Sequence, residues 1–433
     1  MNHLMSLLQE KILKRMQLKS FYVFVLLPLF LMACNPVSKL NRENLSAHLD
    51  YADAASFPNY SILHVDSDTS VLVYRIPVDD VLRKSTEGIF QGKLKLHFAL
   101  FHGYNQTAIL DSGTVFFTVD SGAHDLIGNI KFRMSHSQIG VLRIDLTDVY
   151  RNLSGFRFVD VDKSETGIEQ YFGLYDENDH IKYSNIIYPD QLFNLRCFVS
   201  SRIDSFYVSC YYRNFPLAMP PFKEEENKVF SMVPDSSFTI ATNDVSALRL
   251  HRYGFLLFKL NKNDRNGYTL FVMPENFPII NSASPLIEST RYITTAKEHL
   301  ELMASSDKKK ALDNFWLSVG GNTNNAKALI REYYSRVQHA NRMFTSYLEG
   351  WKTDRGMIYI IFGEPQSVYR SNDSEQWTYS TMLNSSDVVF SFKRVGNPFS
   401  NNDYSLIRQL YYENAWYMSV DQWRQGRAVN LKE

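Results

Sequence analysis

Three cysteines, eleven histidines and a pair of acidic residues near the carboxy terminus are the side chains best suited to chemistry in this sequence. Cys34 follows an uncharged apolar run over 21–33 and offers a thiol for covalent modification. Cys197 and Cys210 sit in LRCFVSSRIDSFYVSCYYR, which reads as two strands around a turn at 200–204. A disulfide and two separate buried thiols both fit that reading in an oxidising compartment. Neither cysteine has Cys-x-x-Cys spacing or a neighbouring histidine, so neither reads as catalytic. Asp354 and Glu364 are the carboxylates to weigh for hydrolysis of a glycosidic bond, where such groups stand about 5–9.5 Å apart. The histidines are scattered, and His97 with His102 lacks acidic companions, so no metal site is expected. Gly-x-Ser-x-Gly, a phosphate loop and Gly-x-Gly-x-x-Gly do not occur. The acidic stretches 160–162 and 176–179 lack the Gly and closing Glu of a calcium loop and read as solvated turns. Catalytic residues and cofactors are therefore both expected to be none.

The elements that must position these residues follow from composition and period. Of 433 residues, 46 are Lys or Arg and 46 are Asp or Glu, which leaves no electrostatic footprint for nucleic acid. Twenty-six Tyr and 30 Phe favour half-buried sheet surfaces. Over 57–165, short alternating runs at 69–74, 93–100, 114–118, 129–133 and 141–146 predict a β-sandwich domain. The immunoglobulin arrangement is one such topology, although its Cys–Trp–Cys core is missing. Over 166–292, strands at 192–199, 205–212, 237–240, 247–251, 254–259 and 268–272 predict a second β domain. Its Pro-containing stretch at 215–222 cannot be a central strand.

From 293 to 349 the pattern turns helical. Thr294 or Thr295 caps a short helix through Ser305 with Leu300, Met303 and Ala304 inward. A second helix follows Asp307, carries Leu312, Phe315 and Trp316, and stops at Gly320-Gly321. A third, long helix runs over 326–349 with one apolar stripe through Leu329, Tyr333, Val337, Ala340, Phe344 and Tyr347, and Gly350 serves as its left-handed stop. The fold class expected is multidomain and mainly β: two β-sandwich-like domains, then a carboxy-terminal α+β module with one long helix.

The amino terminus reads as an address. Lys11, Lys14, Arg15 and Lys19 precede the apolar run, which is shorter than the roughly 20 residues that span a bilayer. Leu31-Met32-Ala33-Cys34 resembles the lipobox of bacterial lipoproteins. That resemblance implies a lipoprotein signal peptide over 1–33, acylation of Cys34 with chains such as palmitate, and a tether over 34–56. Asn35 after the cysteine favours the outer membrane, and the lack of an acidic export run favours its periplasmic face.

Gly350-Trp351-Lys352-Thr353-Asp354-Arg355-Gly356, the apolar run 357–362 and Gly363-Glu364-Pro365 together resemble the GWxTD-domain family. Upstream, Ala311-Leu312-Asp313 with Phe315-Trp316 and Tyr333-Tyr334 with Arg336-Val337 resemble its helices, and Glu375-Gln376-Trp377 resembles a later strand. The likeness spans about 295–433 and implies an envelope protein without assigning an activity. The heptapeptide itself reads either as a helix-to-strand joint, with 357–362 a central strand, or as a functional surface including Thr353, Asp354 and Arg355. Gly-Glu-Pro followed by the aromatic strand at Trp377 also resembles small lipoproteins of the outer-membrane β-barrel assembly machinery, which dock on partners.

Two functions follow as expectations. The first is a non-enzymatic scaffold, held to the membrane by its amino-terminal lipid, whose carboxy-terminal module engages another envelope protein. Gly350, Trp351, Thr353, Asp354, Arg355, Gly356, Gly363, Pro365 and Trp377 are its candidate interaction residues. The alternative is a glycan or peptidoglycan binder or hydrolase using Asp354 with Glu364.

Overall fold

The computed structural model describes residues 39–49, 58–86, 88–223, 231–380 and 387–428. The expected signal segment 1–33 and Cys34 lie outside the described residues. Strand exceeds helix, 35% against 26%, so the chain is mainly β with a helical carboxy-terminal region.

Period-two alternation builds the first β unit. Strands β1 (Asn59–His64), β2 (Thr69–Pro77) and β6 (Asp125–Arg133) form one antiparallel sheet, in the order β1-β2-β6. The other sheet holds β3 (Arg83–Thr86), β4 (Ile89–Phe101), β5 (Ile109–Asp120), β7 (Ile139–Asp148) and β8 (Leu153–Asp162), with β4 between β5 and β7. Leu94, Leu96, Phe98 and Leu100 alternate along β4 and meet Leu72, Tyr74 and Phe132 of the smaller sheet in one apolar cluster. Each such side chain stabilises the fold by about 1.5–3 kcal/mol when fully buried. Two sheets over one core is the sandwich-like arrangement that the alternation predicts.

The next sheet runs β10-β15-β14-β12-β13. Its strands are β10 (Ile186–Ile187), β12 (Ser205–Tyr211), β13 (Ser236–Ala241), β14 (Gly254–Lys259) and β15 (Tyr268–Val272). Both of its faces are apolar. Leu256 and Phe258 of β14 join Leu270 and Val272 on one face, beneath the ladder of β9 (Phe172–Tyr175) and β11 (Asn194–Cys197). Phe255 and Leu257 join Phe271, Met273 and Phe399 on the other. Cys197 lies on β11, paired with β9, and Cys210 lies on β12, between β13 and β14. The two are not cross-strand neighbours, and both are free thiols. The strand expected over 247–251 is replaced by a 3-10 turn, Thr242–Ala247, and irregular chain. Val245 and Leu250 anchor that segment in the core.

Three helices of this region start where their caps predict. Helix α1 (Ala283–Ser289) precedes α2 (Ala296–Ala304), which opens on a reciprocal capping box between Thr295 and Glu298. Helix α3 (Lys308–Gly320) is capped by Asp307, and α4 (Thr323–Phe344) by Asn322. On α2 the inward residue is Leu302, whereas Leu300 is 68% exposed; a two-turn helix touching the core on one side buries only one row. The α4 stripe is buried as expected from Ala326 to Phe344, but the helix ends there, five residues before Glu349. Thr345 leaves helical geometry (ψ 128°), and Tyr347 turns away to pack on Phe215.

The largest departure concerns residues 357–362, expected as a central strand. They lie in helix α5 (Asp354–Phe362), buried from Arg355 to Ile361. A run apolar on every side carries no period, so a fully buried helix and a buried strand look alike in sequence. The sheet of this region, β16-β17-β18-β19, follows α5: β16 (Ser367–Arg370), β17 (Ser374–Tyr379), β18 (Val388–Arg394) and β19 (Tyr404–Leu406), then helix α6 (Tyr412–Arg424).

The described part of the expected tether, 39–49, is packed rather than free. Leu40 joins Ala99, Phe101 and Tyr104 of the first β unit. Leu45 and Leu49 enter the large core beside α4 and α5. The Leu45 amide donates to the Val368 carbonyl at 2.8 Å, and the Asn41 amide to the Tyr104 carbonyl at 3.0 Å. The described residues from Leu40 onward form a single compact unit.

Candidate functional site

The heptapeptide is built against the end of α4. Asn341 donates from Nδ2 to the Pro278 carbonyl at 2.9 Å, and its Oδ1 accepts the Trp351 amide at 3.1 Å. Thr345 Oγ1 accepts the Gly350 amide at 3.0 Å. Gly350 is needed for close approach, not for a left-handed stop: a Cβ there would lie 1.9 Å from the Ala340 carbonyl oxygen. Trp351 is fully buried, and its carbonyl accepts the Tyr292 hydroxyl at 2.9 Å.

Thr353 is the N-cap of α5. Its Oγ1 accepts the Gly356 amide at 3.0 Å and donates to the Gly350 carbonyl at 2.7 Å. Gly356 must be bare as well, because a Cβ would lie 1.9 Å from the Gly350 carbonyl oxygen. Asp354 occupies the first turn, where the helix dipole favours an anion. It accepts from Arg408 Nη2 at 2.6 Å and from the Leu406 amide at 2.7 Å. At the other end of α5 the carbonyls are satisfied in turn: Arg336 Nη1 donates to Ile360 at 3.1 Å and Trp423 Nε1 to Ile361 at 3.1 Å. Gly363 follows at φ 81°, and Pro365 is buried.

Arg355 points inward to a carboxylate the sequence reading left unassigned. Its Nη1 lies 3.2 Å from Glu375 Oε2, with the two side chains 3% and 2% exposed. Its Nη2 donates to the Asn402 carbonyl at 2.9 Å and also contacts Asn402 Oδ1. Its guanidinium stacks over Tyr404 at 4.2 Å. Glu375 also accepts from Arg370 Nε at 2.7 Å and Trp377 Nε1 at 3.2 Å. The charges continue into the first β unit through Asp160, which pairs with Arg394 at 3.0 Å and accepts the Tyr104 hydroxyl at 3.0 Å. The Tyr104 amide donates to Asn372 Oδ1 at 2.9 Å. The four groups Arg355, Glu375, Arg370 and Trp377 thus form a buried lock beside the contact between sandwich and module.

Burial alone would raise the Glu375 carboxyl, but Arg370 and Arg355 outweigh it and hold the group at about 2, against an ordinary 4.5. A carboxyl depressed on folding stabilises the native state fully above its unfolded value, and the contribution fades as pH falls to the folded value. The wild-type urea midpoint is therefore expected to drop between about pH 5 and about pH 2.5. In Glu375→Gln the part of that slope owed to this group should vanish. Equal slopes in the two proteins would show that Glu375 is not held by the arginines.

The sequence-derived candidates thus converge in space, but inward. Gly350, Trp351, Thr353, Arg355, Gly356, Gly363, Pro365 and Trp377 are all buried. Asp354 is nearly so, with a side chain 10% exposed. Asp354 opens α5 and exposed Glu364 lies two residues past its end; the helix alone separates its two ends by about 12 Å along its axis, beyond the separation of a glycosidase pair. Sequence reasoning missed the roles of Glu375, Arg370, Arg408, Asn341 and Asn402, and it read 160–162 as a solvated turn, whereas these residues end strand β8 and Asp160 is held by Arg394 and Tyr104. One signal was present: Glu375, Trp377 and Tyr379 share a face at period two, which places a carboxylate inward beside two aromatics. Among the described residues no group of three or more His, Cys, Asp and Glu is placed to hold a metal ion. No helix of the described residues is long and apolar enough to cross a membrane.

No curated protein matches this chain. The likeness read from sequence at about 295–433 begins earlier in the family match, at the first residue of β14. In the structure Phe255 and Phe271 of β14 and β15 pack on Phe399, in the loop between β18 and β19, so those strands share an apolar cluster with the carboxy-terminal part of the chain. A GWxTD domain is found at residues 254–425 of this chain.

Proposed function

We propose that the protein is a lipid-anchored scaffold of the bacterial envelope, acylated at Cys34 and held at the periplasmic face of the outer membrane. In this reading the GWxTD domain engages another envelope protein and performs no chemistry. The observation that carries it is the division of labour within that domain. The polar residues of the motif are consumed by internal caps and ion pairs. Apolar side chains stand outside instead, with Leu410 77%, Tyr411 56% and Tyr417 52% exposed around the start of α6. Exposed aromatics with a polar tip are suited to protein contacts. The segment 39–49, sewn into both the sandwich and the module, would transmit the anchor to a rigid body.

The test has two arms in cells carrying the full chain. Cys34→Ser is expected to abolish palmitate labelling and release the protein from the membrane fraction. Leu410→Asp with Tyr411→Asp should remove partner crosslinking while leaving membrane attachment unchanged. Unlabelled wild-type protein would sink the anchor, and crosslinking that survives the double change would sink this contact surface.

A further inference from the structure

Strand β5 leaves one side bare. It pairs with β4 alone and forms an edge of the larger sheet of the sandwich. The alternation of backbone bonds shows which groups are left over. The Lys93 carbonyl, opposite Thr118, faces β7 and accepts the Val149 amide at 2.9 Å. The Ser112 amide, on β5, turns the other way, onto Asp111 Oδ1 at 2.9 Å. Orientations alternate along an antiparallel ladder, so the amides and carbonyls of Thr114, Phe116 and Thr118 point away from β4. None of these backbone groups is bonded to another described residue.

Such an edge is a template for another strand unless lysine, proline or a bulge blunts it. Residues 112–119, Ser-Gly-Thr-Val-Phe-Phe-Thr-Val, have no charge and no proline. Their register against β4 is unbroken, because the irregularity lies at Leu100 and Phe101, beyond Asp111. Phe116 is 70% exposed. Strand β6, the edge of the smaller sheet, lies against β5, and Phe117, Leu126 and Ile130 leave the sandwich core only partly covered along that side.

The strand matches itself. Paired antiparallel about Phe116, two copies of β5 set Phe116 opposite Phe116, Val115 opposite Phe117, Thr114 opposite Thr118 and Ser112 opposite Asp120. Aromatic–aromatic, aromatic–β-branched and Thr–Thr pairs are combinations that stabilise sheets, and no acid faces an acid. In the same register the outward groups of 114, 116 and 118 meet those of 118, 116 and 114, so every free donor finds an acceptor.

We propose that the protein forms a two-fold dimer through its β5 edges, paired antiparallel about Phe116, so that the larger sheets of two sandwiches become one. The contact is isologous, with the same patch on both copies. It uses the sandwich and neither Leu410 nor Tyr411, so it goes beyond the scaffold reading and stands or falls apart from it.

Sedimentation of the detergent-solubilised full chain tests the assembly, and added cysteines test the register. The wild type should run as a dimer that dissociates on dilution. Phe116→Lys sets like charges opposite each other and should weaken association roughly tenfold or more. The position is exposed, so its circular dichroism should match the wild type. Under mild oxidation, with the wild type as blank, Phe116→Cys should form a disulfide-linked dimer, because the paired Cα atoms stand about 5.5 Å apart. Thr114→Cys and Thr118→Cys should not, since each lies about 13 Å along the strand from its own copy. Three results would each overturn the proposal: a wild type monomeric across the micromolar range, as when the edge receives another protein's strand; a dimer that Phe116→Lys leaves intact; or disulfides that form as readily at 114 and 118 as at 116.

Discussion

Replacing Glu375 with Ala should cost about 3–5 kcal/mol of unfolding free energy, the usual penalty for removing one partner of a buried ion pair. The side chain is 2% exposed and is shared by Arg355, Arg370 and Trp377. Its loss leaves the Arg355 guanidinium, itself 3% exposed, without its ion-pair partner and away from water. Arg370 is less affected, because its side chain retains 27% exposure. The penalty should therefore sit mainly with Arg355. Arg355→Met in the Glu375→Leu background is expected to recover a large part of the loss, since an apolar substitute for a buried pair is often neutral or better. Urea unfolding of the wild type, single variants and double variant makes a cycle that measures this coupling. Additive effects would mean that the two side chains act independently and that the lock has no energetic content.

The second large effect belongs to the two glycines of the motif. Gly350→Ala and Gly356→Ala each place a Cβ 1.9 Å from a backbone carbonyl oxygen, at Ala340 and Gly350 respectively. Backbone on both sides must move, so the cost should lie at or above the upper end of the about 1–3 kcal/mol typical of overpacking. Gly396→Ala is the internal control. Its Cβ would meet nothing within 4 Å, and a change within about 0.5 kcal/mol is expected. Neither motif glycine has a left-handed φ, so D-alanine at position 350 or 356, introduced by ligation, would bring no conformational relief of the kind seen at helix stops. If Gly350→Ala unfolds like Gly396→Ala, the close approach of the motif to α4 is not a constraint on the fold.

Both effects explain why a motif with so many polar letters is not itself a reactive surface. Glycines allow two backbones to touch, Thr353 and Asp354 start a buried helix, and Arg355 ties that helix to a sheet. Each role requires its residue type, and each turns the residue inward.

Much of the framework was legible in the order of residues. Alternation along β4, the continuous apolar run of β14, the stripe on α4, and the caps Thr295, Asp307 and Asn322 are local signals, readable within a window of a few turns or strands. The start of α5 was equally readable in principle: Thr353 as N-cap, Asp354 in the first turn and Gly363 after the last residue. The uniform apolar run between them suppressed the period that would have distinguished helix from strand.

The helices between 295 and 344, and the GWxTD motif that follows them, the sequence by itself determined, because hydrophobic period and capping act between neighbours along the chain. The tertiary structure alone decided that 39–49 is packed, that Cys197 and Cys210 lie in different sheets, and that Arg355 answers to Glu375. Those outcomes depend on which distant segments share a core, and burial energy is indifferent to sequence distance.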